Sequence, residues 1–239
     1  MKAPIPEEFD GLPVVTSEEM RELDRRAVER CGIPALALME KAGEGVARHA
    51  LELLKGLSVA EHLVTVCCGR GNNGGDGLVV ARLLKAAGLE VMAFIAPPKR
   101  DGGYSPEVKA NLARALEAGV SVHEVSDELV ELDIRLRSSA LLVDALLGTG
   151  SSGKPAGPVH RMIQCMMKAG RPILAVDVPS GIDPNTGYHS GAVVAATRTC
   201  ALGLPKRGLL AAPAARYVGE LRVVDIGFPR ELVEGFRRK

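Results

Sequence analysis

The sequence predicts an α/β domain in which a parallel β-sheet is covered by helices on both faces, and three observations carry that prediction. Short strand-like runs alternate with helical stretches from residue 62 to residue 178, the order that βαβ crossovers impose on a parallel sheet. The runs themselves ("HLVTVCC", "EVMAFIA", "ALLVDAL" and "PILAVDV") are apolar nearly throughout, which suits strands buried on both faces. The 239 residues are 46% hydrophobic and contain no internal repeat, low-complexity segment or linker, so a single domain over 1–239 has enough apolar material for a sizeable core.

Two helices come first. Thr16 stands three residues before Glu19, a capping box that opens a helix running to about residue 31, and a second helix is expected over 35–54. The strand over 62–68 follows, then a helix from about 75 to 87 that Gly88 stops, the strand "EVMAFIA", and a helix over 106–118. A short strand in "VSVHEV", a helix over 127–138, the strand "ALLVDAL", a helix over 157–169 stopped by Gly170, and the strand "PILAVDV" complete the alternation. From Thr197 the pattern changes to "RTCALG" and "GELRVVDI" with no clear helix between them, and both are expected to extend one edge of the sheet.

Composition excludes several classes of function. Thirty Lys and Arg against 29 Asp and Glu leave a net charge of +1, and no basic run is long enough for a nucleic-acid groove. Five cysteines (Cys31, Cys67, Cys68, Cys165, Cys200) form an odd set without CxxC spacing, which disfavours a disulfide framework or a zinc site and suits reduced thiols in a cytoplasmic chain. The opening "MKAPIPEEFDGLPVV" has no apolar signal core and nowhere do about 18 apolar residues run together, so neither secretion nor a membrane span is expected. The five histidines (His49, His62, His123, His160, His189) are scattered without ligand spacing and read as surface or core residues.

In a doubly wound sheet a ligand sits beyond the carboxyl ends of the strands, where strand order reverses. That rule selects three segments: "GRGNNGGDG" (69–77), "DALLGTGSSGKPAG" (144–157) and "DVPSGIDPNTG" (177–187). All three are rich in residues that bring backbone N–H groups close to an anion while leaving side-chain oxygens free. Gly69, Gly71 and Gly74 match the G-x-G-x-x-G spacing of a dinucleotide fingerprint, yet strand two ends in "FIAPP" without the acidic residue that would hold a ribose. The glycines alone could make only a tight turn, but two asparagines and an aspartate exceed what a turn requires. With a helix start near Gly75, its first-turn amides favour a phosphate, and Asp76 would sit inside that turn as a ligand contact or a simple complement to the dipole. Asp144 and Asp177 each end a buried apolar strand, where desolvation can raise a carboxyl toward a working value; hydrogen bonding to loop amides is the alternative for each. Oxygens at Asn73, Asp144 and Ser180 also suit a hard monovalent or divalent cation.

The segments "GNNGGDGLVVARLL", "VDALLGTGSSGKPAG", "AVDVPSGIDPNTG" and "LGLPKRGLL", in that order, resemble the YjeF N-terminal domain family of NAD(P)HX epimerases over residues 14–228. The resemblance implies a Rossmann-like three-layer αβα sandwich with a mostly parallel sheet, usually dimeric. It implies an isomerase acting on NADHX and NADPHX, the C6-hydrated forms of NADH and NADPH, interconverting their R and S epimers so that a dehydratase taking the S form can repair both. Carried over position by position, Asn72, Asn73, Gly74, Gly75 and Asp76 would contact the substrate, and Gly148, Thr149, Gly150, Ser151, Ser152, Gly153 and Lys154 its phosphate region. Asp177 would touch the reacting end, while Asn73, Asp144 and Ser180 would bind a potassium ion (K+). Lys206 matches a family lysine to which the resemblance assigns no role. The dehydratase is often fused behind this domain in the family; with Lys239 the last residue, no fused dehydratase domain is expected and a separate partner is implied.

C6 of the hydrated ring is a carbinolamine, so it loses its stereochemistry by reversible hydroxyl loss or ring opening, with no redox step. Either route moves a proton, and Asp177 is the expected general acid and base. The rival from another class is a non-catalytic nucleotide-binding or scaffold module of the same fold, against which the strand-end aspartates and the asparagine pair argue. An NAD-dependent oxidoreductase is disfavoured by the missing ribose acid.

Overall fold

The computed structural model describes residues 4–56, 63–98, 102–126, 128–151 and 153–237; His62, Asp127 and Ser152, named above, lie outside the described residues. A short antiparallel hairpin, β1 (Glu8–Phe9) with β2 (Leu12–Pro13), leads into α1 (Ser17–Glu29). The capping box forms as expected: Thr16 Oγ1 accepts from the Glu19 amide at 3.1 Å and Glu19 Oε2 accepts from the Thr16 amide at 2.7 Å. Next come α2 (Ala35–Gly56), β3 (Leu63–Cys68), α3 (Asn72–Ala86), β4 (Glu90–Ile95), α4 (Pro106–Glu117), β5 (Ser121–Glu124) and α5 (Val130–Ser138). The second half holds β6 (Leu141–Ala145), α6 (Gly157–Ala169), β7 (Ile173–Val176), β8 (Arg198–Leu202), α7 (Ala215–Val218), β9 (Glu220–Val224) and α8 (Arg230–Glu234).

The seven strands β3 to β9 form one sheet in the order β5-β4-β3-β6-β7-β8-β9, every pair parallel. Strand side chains alternate between two cores. Val64, Val66, Cys68, Val143 and Val176 pack under α2, α3 and α4, while Cys67, Leu142 and Ala175 face Leu132 and Leu136 of α5 and Met162, Ile163 and Met166 of α6. This is the three-layer αβα sandwich that the sequence predicts. Among the described residues no helix is long and apolar enough to cross a membrane.

Three elements depart from expectation. Helix α3 begins at Asn72, three residues before the expected Gly75, so both asparagines occupy its first turn and Asp76 lies beyond it. Close approach overrides the poor helix propensity of this stretch: a Cβ on Gly69 would stand 1.9 Å from the Leu146 carbonyl oxygen, and one on Gly74 only 1.8 Å from that of Gly69. The fingerprint-like glycines therefore let the β3–α3 turn press against the β6 loop. Helix α5 begins at Val130 and not at 127. Between β8 and β9 the chain makes two 3₁₀ turns, Arg207–Leu210 and Ala212–Ala214, and the single-turn α7, too short for a periodic signal.

The sheet order fixes where a ligand can sit. From β3 the chain runs outward through β4 to β5, then crosses back to place β6 on the other side of β3, with Cys68 paired to Ala145 at their carboxyl ends. The crevice beyond that pair is the switch point.

Candidate active site

A cavity of about 760 Å³ opens at this switch point. Helices α1 and α2 supply an apolar wall that includes Met20, Leu38 and Met39, and the loops after β3, β6 and β7 supply a polar one. Asn72, Asn73, Asp76, Gly148, Thr149, Gly150, Ser151, Gly153, Lys154 and Asp177 all line it. Gly74 and Gly75 do not: Gly74 is packed on Gly69, and Gly75 against Met39 and Val108.

Asp177 follows β7 with φ of +69°, a left-handed conformation that few non-glycine residues adopt, and its amide is anchored to the Cys200 carbonyl at 2.8 Å. Such backbone is stored where the surrounding structure over-determines it, at functional sites above all. The turn points the carboxylate at two donors: Lys206 Nζ reaches Oδ1 at 2.5 Å and the Thr149 amide reaches Oδ2 at 2.7 Å. Lys206 is fully buried, and its ammonium also donates to the Leu202 carbonyl at 2.6 Å. Burial alone would push Asp177 up, but the Lys206 ammonium and the hydrogen bonds outweigh it and hold the carboxyl below its ordinary value. The sequence-based expectation was a raised value; the cation it could not see reverses the sign.

Two further carboxyls face the same space. Asp76 is 8% exposed, and burial, with the like charges of Asp177 and Asp24, pushes it well above the usual carboxylate range against the pull of Lys206. Asp24 on α1 is pushed by burial to about 6, with Lys206 lowering and Asp177 raising it. The Lys206 ammonium thus favours the charged form of Asp177, while burial and like charge favour the protonated form of Asp76.

Asp144 and Ser180 lie beneath the cavity, both fully buried. Ser180 Oγ donates to Asp144 Oδ1 at 2.6 Å and its amide to Oδ2 at 2.8 Å, while Oγ accepts from the Leu147 amide at 2.9 Å. Burial pushes the Asp144 carboxyl up to about 6 despite these bonds and that from Leu146. Asn73 bonds to neither: its Oδ1 and Nδ2 are buried without partners, as is Thr149 Oγ1. Buried polar atoms are normally satisfied, so the orphaned Asn73 atoms on the cavity wall offer places for ligand atoms; Asn111 Oδ1 of α4, also without a partner, does not line the cavity. A Cβ on Gly148 would stand 2.8 Å from Asp177 Oδ2 and 3.1 Å from Asn73 Oδ1, so glycine there keeps the two side chains within reach of one ligand.

Sequence reasoning missed Asp24 and left Lys206 without a role. Asp24 carries no local signal, since it stands among the charges of "EEMRELDRR". Lys206 had a faint one, a single turn embedded in the apolar stretch "CALGLPKRGLLAA".

Fold and site together define a doubly wound α/β protein with a carboxylate-lined ligand cavity at its switch point. A family model described as YjeF-related protein N-terminus matches residues 35–208, and the chain belongs to that family. It is 37% identical over 222 residues to the NAD(P)H-hydrate epimerase of Elusimicrobium minutum, covering 93% of this chain and 99% of that protein. It is 40% identical over 230 residues to the bifunctional NAD(P)H-hydrate repair enzyme Nnr of Thermofilum pendens, covering 95% of this chain but 43% of the relative. The crystal structure of yeast ynu0 superposes with a TM-score of 0.81 at 25% identity, with 95% of each chain covered.

Proposed function

We propose that this chain is an isomerase that interconverts the R and S epimers of NADHX and NADPHX at C6 of the nicotinamide ring. The observation that carries the reading is the Lys206–Asp177 pair beside the buried carboxyl of Asp76, in the switch-point cavity of a chain whose relatives bear epimerase names. Hydroxyl loss from a carbinolamine needs a proton delivered to the leaving oxygen, and re-addition of water needs one removed. Asp76 can deliver that proton. Asp177, kept ionised by Lys206, can receive one, so its role is that of base more than acid. The substrate's phosphates fit the N-terminal end of α3, where unpaired amides and the helix dipole favour anions, with Arg70 and Lys154 on the cavity rim.

The donors also suit the implied potassium ion. Asn73 Oδ1 is an orphaned oxygen, Asp144 brings charge and Ser180 a hydroxyl, an all-oxygen set proper to a hard cation. Among the described residues no cluster of three or more His, Cys, Asp and Glu side chains suggests another metal. Bound there, K+ would supply positive charge beside the substrate phosphates and tie the three loops together. A cytoplasmic homodimer supplying the S epimer to a dehydratase completes the reading.

The test is chromatographic: R-enriched NADHX in potassium buffer is followed toward its epimer equilibrium with and without protein. The protein should accelerate the approach, and Asp177→Asn should slow it by about 10² to 10⁴-fold with substrate still bound. Substrate binding without acceleration would favour the scaffold reading.

A further inference from the structure

Asp24 is the cavity carboxyl to which no part has been given. It enters the cavity from α1, an element separate from the strand-end loops, and it makes no hydrogen bond or ion pair among the described residues. Its neighbours along the wall are the apolar Met20, Val28 and Leu38. Nothing on α1 neutralises it: Arg21 is bonded to Glu18, and Arg25 to Glu22 and Glu29. From the other elements it faces Asp76 of α3, Asp177 after β7, Arg70 of the β3–α3 loop and Lys206. Lys206 is the only cation among the described buried residues and is already bonded to Asp177. Thr149, 7% exposed, lines the same space and donates its amide to Asp177, so a polar wall faces Asp24 across the cavity lining.

Resting on the epimerase reading, the chemistry calls for such a group. Inversion at C6 through hydroxyl loss has two faces. On one, a proton passes to the C6 hydroxyl, the C–O bond breaks with its electron pair leaving on water, and the ring-nitrogen lone pair forms the N1=C6 double bond. On the other, water attacks C6, the electron pair returns to nitrogen, and a base takes the surplus proton. Atoms and charge balance with no oxidant. A carboxylate fixed after β7 by Lys206 and Thr149 reaches one face of a ring held in place.

We propose that Asp24 is a further acid–base residue of the reaction beside Asp76 and Asp177, serving the face of C6 that Asp177 does not. Its burial against Asp177 keeps a proton on it into the mildly acidic range, so the carboxyl can donate in one direction and accept in the other.

The test uses the full chain in oxygen-18 water, starting from each epimer separately. Asp24→Asn should lose R-to-S interconversion by about 10² to 10⁴-fold, while one epimer still exchanges its C6 hydroxyl oxygen with retention, faster than the protein-free control. Asp24→Glu should restore part of the interconversion. Interconversion within about twofold of the unsubstituted chain, or equal loss of exchange from both epimers with substrate still bound, would overturn the proposal. Should Asp24→Asn fail to fold, the Glu variant decides: a displaced carboxyl must change the ratio of the two epimers' exchange rates, and an unchanged ratio refutes the assignment. Absence of both exchange and interconversion in the unsubstituted chain would overturn the epimerase reading with it, which separates the two failures.

Discussion

Lys206→Met removes the buried cation beside Asp177 at nearly constant volume. The intact ammonium holds Asp177 Oδ1 at 2.5 Å and the Leu202 carbonyl at 2.6 Å, and the lysine is fully buried. Breaking such a pair from one side strands a buried carboxylate and costs about 3–5 kcal/mol. At about 2–4 °C per kcal/mol for a chain of this size, the expected fall in Tm is roughly 6–20 °C near pH 7.5. The pH dependence carries the sign. In the intact chain the folded value of Asp177 lies below the unfolded one, so its contribution is present above the ordinary carboxylate range and is lost only as pH falls through the lowered value. In the variant burial acts without the cation and the folded value rises above the unfolded one, so stability is fullest below about pH 4 and declines as pH rises. Circular-dichroism melts at pH 7.5 and 5.5 should therefore show the gap between variant and intact chain closing toward the acid side. The double variant Lys206→Met, Asp177→Asn should regain most of the loss, since no charge is left stranded. A loss under about 1 kcal/mol, or a double variant no more stable than the single, would refute the argument that this pair holds the site together.

Gly148→Ala places a methyl group 2.8 Å from Asp177 Oδ2 and 3.1 Å from Asn73 Oδ1; because this glycine does not need a left-handed backbone, the chain should fold while kcat/KM drops about 100-fold from the displaced carboxylate. Steady-state kinetics check this, and activity within threefold would sink it. Replacing potassium by a bulky organic cation should weaken nucleotide binding in the unsubstituted chain, and Ser180→Ala should erase that difference in titration calorimetry. The same substitution strips Asp144 of its 2.6 Å partner and should cost about 1–3 kcal/mol of stability in urea unfolding.

What could be read from the sequence was whatever a short window expresses. The strand-end positions of Asp144 and Asp177, the capping box at Thr16 and the parallel sheet all follow from local periodicity and punctuation. The start of α3 did not, because Asn and Gly are poor helix formers and only contact with the β6 loop explains an early start. Neither did the ionisation of the site. Asp24, Asp76, Asp177 and Lys206 come from separate elements, and the sign of the Asp177 shift depends on a lysine placed by the turn after β8. Burial of one residue is visible in its neighbours along the chain; the partner that neutralises it is not.

The bridge between Val15 and Lys206 sets an order of events during synthesis. Val15 donates to the Pro205 carbonyl at 3.0 Å and Arg207 donates back to Val15 at 2.9 Å, so the strip leading into α1 rests on a segment made long after it. Until that segment has left the ribosome, α1 lacks part of its seat, and Met20 and Leu23, which pack against Leu204, stay in water. In pulsed hydrogen exchange during refolding, amides of β3 and β6 should accordingly gain protection before those of α1. The wall that α1 gives the cavity is then set in place after the sheet it faces.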